Sequence, residues 1–229
     1  MSTRAPLPWL RFVRQSGAEG AHWAAAYEQV AAIQQTCKDA VEVLRRRGLA
    51  EGSALLRRAH DELCGMDAEG MPASVRAVVD RWYYGAIAYY HYAREEYDDA
   101  GRCMDVAHET VVFALEQTGG CLIPLALDCW EFEMHRARIA RERPDWSALR
   151  RHTARAVAMR DGRVPLCVLC DGTAIALCDV QRFYRALPDL TEEDRTLLAP
   201  IVDDRLSRLQ AERSVRTVLR LPGFVIQYP

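Results

Sequence analysis

The sequence predicts an all-α protein of stacked antiparallel helical hairpins, eight or nine helices in all, and three observations carry that expectation. Apolar residues recur in steps of three and four over most of the chain, as one face of a 3.6-residue helix requires. Breakers at Gly48, at Gly119 with Gly120, at Pro144 and at Pro188 cut those stripes into helix-sized segments. No stretch combines sustained apolar–polar alternation with turn residues, the pattern that a half-buried strand needs.

Taken in order, Trp23, Tyr27, Val30, Cys37, Val41 and Leu44 mark one face of a first helix over 21–47, interrupted by the polar Gln34 and stopped at Gly48. Leu55, Leu56, Ala59 and Leu63 mark its partner, which ends in the Gly- and Pro-bearing run GMDAEGMPAS. A second pair follows, with Val75, Val78, Val79, Trp82, Ala86 and Tyr89 on one helix and Ala100, Met104, Ala107, Val111 and Leu115 on the other. Gly119 and Gly120 supply its C-terminal stop. The third pair opens at Cys121, tolerates Pro124 in its first turn and restarts after Pro144 with Asp145 as N-cap. Trp146, Leu149, Thr153, Ala156 and Val157 form the buried face of its second member.

RVPLCVLCDG is the one segment that suits a short strand or buried loop. Beyond it a helix is expected over 174–187 with Thr173 as N-cap, then a capping-box start at Thr191 and Asp194. A last helix, kinked near Pro200, leads into the extended apolar tail LPGFVIQYP. The domain reading is a poorly structured segment over 1–20, one helical domain over 21–220 and a tail over 221–229.

Composition agrees with an ordinary globular protein. Half of the 229 residues are hydrophobic and 27% charged, which leaves disorder and collagen-like classes without support. The N-terminal segment lacks the apolar core of a signal peptide, and no run reaches the roughly 20 residues that span a bilayer. A cytoplasmic protein with no membrane partner is expected, and its eight cysteines then read as reduced thiols, mostly small buried hydrophobes. Lys38 is the only lysine among the 30 Lys and Arg residues, a skew that coding bias explains as well as selection for guanidinium groups does.

The helix pair over 81–119 has a further regularity. Tyr84, Ile87, Ala88, His91, Tyr97, Ala100, Met104 and Ala107 stand at the spacings of the tetratricopeptide repeat, which this pair resembles in degenerate form. Small residues at 88, 100 and 107 let two helices approach closely, while the larger ones fill the space around them. The pair departs from the repeat at Tyr84 (usually Trp), Ala88 (usually Gly), His91 (usually Tyr) and Val112 (usually Pro). Weaker echoes precede it (Leu49, Gly52, Leu56, Ala59) and follow it (Trp146, Leu149, Thr153, Ala156). The final alanines, Ala59, Ala107 and Ala156, lie 48 and 49 residues apart, longer than the family's unit of about 34. The resemblance implies a TPR-like α-solenoid that presents a surface to a peptide or protein partner; a compact helical bundle is the other arrangement open to the same helices.

Several groupings bear on chemistry. Cys167, Cys170 and Cys178 form a C-x2-C followed by a third thiol, and with His152 or Cys129 they would complete a zinc site; their apolar neighbours favour buried neutral thiols instead. Asp128, Glu131 and His135 recur at helical spacing and, with His91 and Glu95, sketch a metal-dependent enzyme, although solvated helix faces explain the pattern equally. The run Trp82, Tyr83, Tyr84, Tyr89, Tyr90, Tyr92 and Tyr97 cannot share one helix face, so some of these rings are exposed or line a groove. Between Arg136 and Arg163 nine arginines face three acids, a basic patch for nucleic-acid phosphates or for an acidic protein, or one absorbed by the chain's own carboxylates.

No phosphate-binding loop, dinucleotide fingerprint or nucleophile elbow occurs. The expected function is a non-enzymatic helical-repeat adaptor or scaffold that binds a protein or peptide through Tyr84, Tyr89, Tyr92 and the Arg150, Arg151, Arg155 cluster. No cofactor is expected beyond the zinc alternative, and a nucleic-acid-binding regulator is the second reading.

Overall fold

The computed structural model describes residues 17–66, 70–120, 122–189 and the single positions 192, 202, 206 and 209. These residues are all-α. Seven α-helices appear among them: α1 (Gly17–Arg45), α2 (Leu49–Gly65), α3 (Ala73–Ala93), α4 (Tyr97–Gln117), α5 (Ala126–Glu142), α6 (Trp146–Arg160) and α7 (Leu177–Ala186). From α1 to α6 each helix packs on its sequence neighbour, α3 on α4 most extensively; α1 also lies along α3, and α7 packs against α5 and the turn that precedes it. Such short connections favour antiparallel neighbours.

The buried faces follow the apolar stripes. Trp23, Tyr27, Val30, Cys37 and Leu44 of α1 enter the core, and the Trp23 and Tyr27 rings stack at 5.3 Å. Gln34, the polar break in that stripe, is buried and satisfied: with its amide oxygen turned toward the donors, it accepts from Trp82 Nε1 at 3.0 Å and Lys38 Nζ at 3.1 Å, while its NH2 faces the Tyr27 hydroxyl. It therefore ties α1 to α3. Trp23 Nε1 makes the same connection by donating to Ser74 Oγ at 3.1 Å. Gly52 is required by close approach, because a Cβ there would lie 2.6 Å from Leu44 Cγ.

Helix ends are set by local chemistry. Gly119 and Gly120 both take positive φ and close α4, with the Gly120 amide donating to Leu115 O at 2.6 Å. The Asp145 side chain caps α6 by accepting from Ala148 N at 2.9 Å. Pro124 sits in a short 3-10 turn over Ile123–Leu125 that precedes α5, and Cys121 lies outside the described residues. α1 begins at Gly17, ahead of the expected start at Ala21.

Two expectations are corrected. Trp146 is 49% exposed, not part of the buried face of α6, because it is the first residue of that helix and stands at the margin of the inward stripe of Leu149, Thr153 and Ala156. The helix expected over 174–187 starts only at Leu177. Ala174–Ile175 pairs antiparallel with Cys167–Val168 across a turn whose Gly172 takes φ +84°, Thr173 N donates to Asp171 instead of capping a helix, and Asp179 Oδ2 accepts from Ala176 N to start α7. The expected helix after Thr191 and the 221–229 tail fall outside the described residues apart from positions 192, 202, 206 and 209, of which Leu206 and Leu209 are buried.

Candidate functional site

Two places combine unusual chemistry with access to solvent. The first is a cavity of about 220 Å³ between α1, α3, α4 and α5. The tyrosine run explains part of its wall: residues 85, 89 and 92 lie on one side of α3, so Gly85, Tyr89 and Tyr92 face the space with Trp82 beside them. Phe132, His135 and Arg138 project from α5 at helical spacing, and Arg45 closes the rim from α1.

A buried ion pair underlies the cavity. Arg81 is 6% exposed and donates through Nη2 to Asp128 Oδ1, while its guanidinium stacks 3.9 Å over the Trp82 ring. Asp128 is fully buried. The reading of Asp128 as part of a solvated face is therefore overturned: its side chain is enclosed because the first half of α5 is buried on nearly every side, from Ala126 to Trp130 and again from Phe132 to Met134. Glu131 and His135, from the same spacing, line the cavity.

His135 Nδ1 lies 3.2 Å from Arg138 Nη1. A guanidinium has only donors, so Nδ1 accepts and the ring proton sits on Nε2. Burial, followed by the Arg138 and Arg45 guanidinium groups, lowers the His135 pKa to about 3, and the ring is neutral at physiological pH.

The second place is the outward arc of α6 and the loop that follows. Arg150, Arg151 and Arg155 are all exposed. Trp146 stands one turn before Arg150, and Arg151 one turn before Arg155, so the tryptophan with Arg150 borders one edge of the exposed arc and Arg151 with Arg155 the other. Beyond Arg155 the surface continues into a shallow depression with Val164 and Val168, which are 37% and 54% exposed.

Most of the remaining basic run is occupied internally. Arg136 bridges Asp105 and Glu133, Arg141 meets Glu142, Arg143 meets Asp98, and Arg160 and Arg163 share Asp161, all within 3.3 Å. Glu133, buried on α5, also accepts from His152 Nδ1 at 2.8 Å and has Arg155 Nε at 3.7 Å. Burial works against its ionisation, but His152, Arg136 and Arg155 prevail and hold its pKa below the usual carboxylate range.

The other sequence candidates are placed differently. Tyr84 is half-buried against the core, edge-on to Tyr83, and is not among the residues lining the cavity. Cys167 is buried, whereas Cys170 and Cys178 are exposed, and the three thiols do not converge. The free thiol of Cys129 donates a hydrogen bond to Cys167, and that contact with burial pushes the Cys129 thiol up, while Glu116 raises the Cys170 thiol. Among the described residues the one set of ligand-type atoms that converges, within 4.8 Å, is His91, Glu96 and Asp99 at the α3–α4 turn. Arg94 already pairs with Glu96 and Arg102 with Asp99, so guanidinium charge occupies that position.

Sequence reasoning placed Trp82 in the aromatic run whose rings are exposed or line a groove, but missed Arg45, Gly85, Phe132 and Arg138 as cavity residues. They come from three helices distant in sequence, and the only local signal was the glycine in the middle of an apolar stripe. No helix among the described residues is long and apolar enough to cross a membrane. The chain matches no family model, no curated protein and no solved structure.

Proposed function

We propose that this chain is a non-enzymatic helical adaptor of the cytoplasm, built as a degenerate TPR-like stack of hairpins, that docks an acidic protein partner on the α6 face. The observation that carries this reading is the exposed arc of α6, with Trp146 and Arg150 along one edge and Arg151 and Arg155 along the other, continued past Arg155 by the exposed Val164 and Val168. Tryptophan and arginine are the side chains that most often dominate interface energetics, and an apolar centre rimmed by one sign of charge selects a complementary partner.

The repeat-like architecture draws support from the alanines. Ala59, Ala88, Ala100, Ala107 and Ala156 are all buried to within 1% exposure, as close helix approach at recurrent positions needs. Arg136, Arg141, Arg143, Arg160 and Arg163 meet the chain's own carboxylates, and the exposed guanidinium groups of Arg150, Arg151 and Arg155 form a compact patch, which suits a defined protein surface better than an extended phosphate backbone.

The test is recovery of tagged wild type and of a W146A/R150E/R151E variant from nuclease-treated lysate of the native host. A stoichiometric acidic protein retained by wild type and lost from the variant is the expected result. Recovery of nucleic acid alone from untreated lysate, or of the same protein by both forms, refutes docking on α6.

A further inference from the structure

The α1/α3/α5 cavity lies apart from the α6 face and carries an inference of its own. We propose that it is a binding site for a compact organic monoanion built on a single aromatic ring, with the carboxylate held by Arg138 and Arg45 and the ring against Tyr89 and Phe132. Size, charge and backbone all support that class of ligand.

The cavity measures about 220 Å³. An apolar cavity of roughly 150 Å³ takes up benzene, and a water-sized group occupies about 30 Å³, so one ring with a short acidic arm fills this space and a second ring does not fit. The wall offers aromatic faces from Trp82, Tyr89, Tyr92 and Phe132. Such walls with a few fixed polar groups are the usual make-up of small-ligand sites.

The charge at the cavity is positive. Arg45, Arg81 and Arg138 line it, against the Glu131 carboxylate and the Asp128 carboxylate that pairs with Arg81. His135 adds no charge, and as a neutral ring it keeps an Nε2–H donor. Arg138 is held by the His135 ring nitrogen, and Arg45 stands at the rim with its guanidinium carbon 5.9 Å from the Tyr89 ring centre. A carboxylate accepts bidentate, charge-assisted bonds from such groups, whereas an amine would face the net positive charge of a lining in which the guanidinium groups outnumber the carboxylates.

Gly85 supplies the third argument. It lies in the interior of α3, where glycine weakens a helix relative to alanine, yet no close helix contact calls for it: a Cβ there meets nothing within 4 Å. The open space beside it is the cavity, so the missing side chain keeps the site vacant for a ligand.

Titration calorimetry and ring-proton shifts with phenylacetate, its neutral counterpart phenylacetamide and the cationic 2-phenylethylamine test this on the full chain. Phenylacetate is expected to bind one-to-one and at least tenfold more tightly than the amide, with no binding of the amine. R138Q should bring the acid down to the affinity of the amide, and G85L, which fills the space without a clash, should abolish binding of both while circular dichroism and melting remain those of a folded protein. G101A, whose glycine lies on α4 away from the cavity, should bind as wild type does. The W146A/R150E/R151E variant should also retain phenylacetate, so loss of protein docking and loss of the ligand site are read separately. No binding of phenylacetate, equal binding of acid and amide, or undiminished binding by G85L overturns the proposal; should R138Q fail to fold, the acid–amide comparison and G85L decide it.

Discussion

His135→Asn is expected to flatten the acid side of the stability profile. The folded state holds the ring neutral to about pH 3, whereas the unfolded chain protonates it near 6.5. Below 6.5 the unfolded state therefore binds one proton more, and stability falls as pH falls, by up to about 1.4 kcal/mol per pH unit until the folded pKa is reached. From pH 7 to pH 5 full linkage amounts to about 2 kcal/mol; because the ring is only half-buried, about 1–2 kcal/mol is expected. Asparagine carries no titrating group and still offers an acceptor to Arg138. His108, lowered by burial and then by Arg136, shifts stability in the same sense but is present in both proteins and cancels in the difference. Glu133, also lowered, acts in the same sense, but its contribution is lost only as pH falls through the usual carboxylate range, below this window, and it too is present in both proteins. Urea unfolding at pH 7, 6 and 5 measures the effect. A wild-type loss that exceeds the variant's by about 1–2 kcal/mol agrees with a neutral, desolvated imidazole; equal losses in the two proteins refute it.

Three further perturbations follow from the packing. Asp128→Ala leaves the Arg81 guanidinium buried without its carboxylate and should cost about 3–5 kcal/mol, whereas the double change R81M/D128L should recover most of that loss, both read by chemical denaturation. Removing the α6 cap with D145A should cost about 1 kcal/mol and lower the melting temperature without changing phenylacetate affinity. Glu95 closes α3 with a left-handed φ of 64°, so E95G should stabilise the fold by about 1 kcal/mol in the same assay, and a loss of stability would show that its side chain matters more than its backbone.

Much of the helical pattern could be read from the sequence because burial of one face leaves a periodic trace. Val75, Val78 and Val79 of α3, or Leu149, Thr153 and Ala156 of α6, are apolar or small at the positions where they enter the core. The breakers were equally legible, since Gly119, Gly120 and Asp145 act through their own backbone or side chain. Trp146 was misplaced because periodicity records the direction of a side chain and not how far the packed stripe reaches toward the first residue of a helix. Of the short hairpin, Cys167–Val168 falls in the segment read as a short strand or buried loop, whereas Ala174–Ile175 was read as helix because a two-residue strand is too short to show alternation.

The candidate sites were legible only in part. Tyr89, Tyr92 and the α6 arginines stand out in the linear sequence through composition, whereas the Arg81–Asp128 pair joins residues on different helices and leaves no local signal. Asp128 looks like any helical acid until its burial is known. Cys167 and Cys170 show the reverse case, a suggestive spacing that the fold separates by giving Cys167 to Cys129 and Cys170 to Glu116.

The central claim is that a partner docks on the α6 face. Hydroxyl-radical footprinting of the purified chain, alone and bound to the acidic protein recovered with it, tests this most directly, because tryptophan oxidation reports side-chain access. Protection of Trp146 and of the 164–168 loop on binding, with Phe113 on α4 unchanged, is the result the account predicts. Full oxidation of Trp146 in the complex would contradict it.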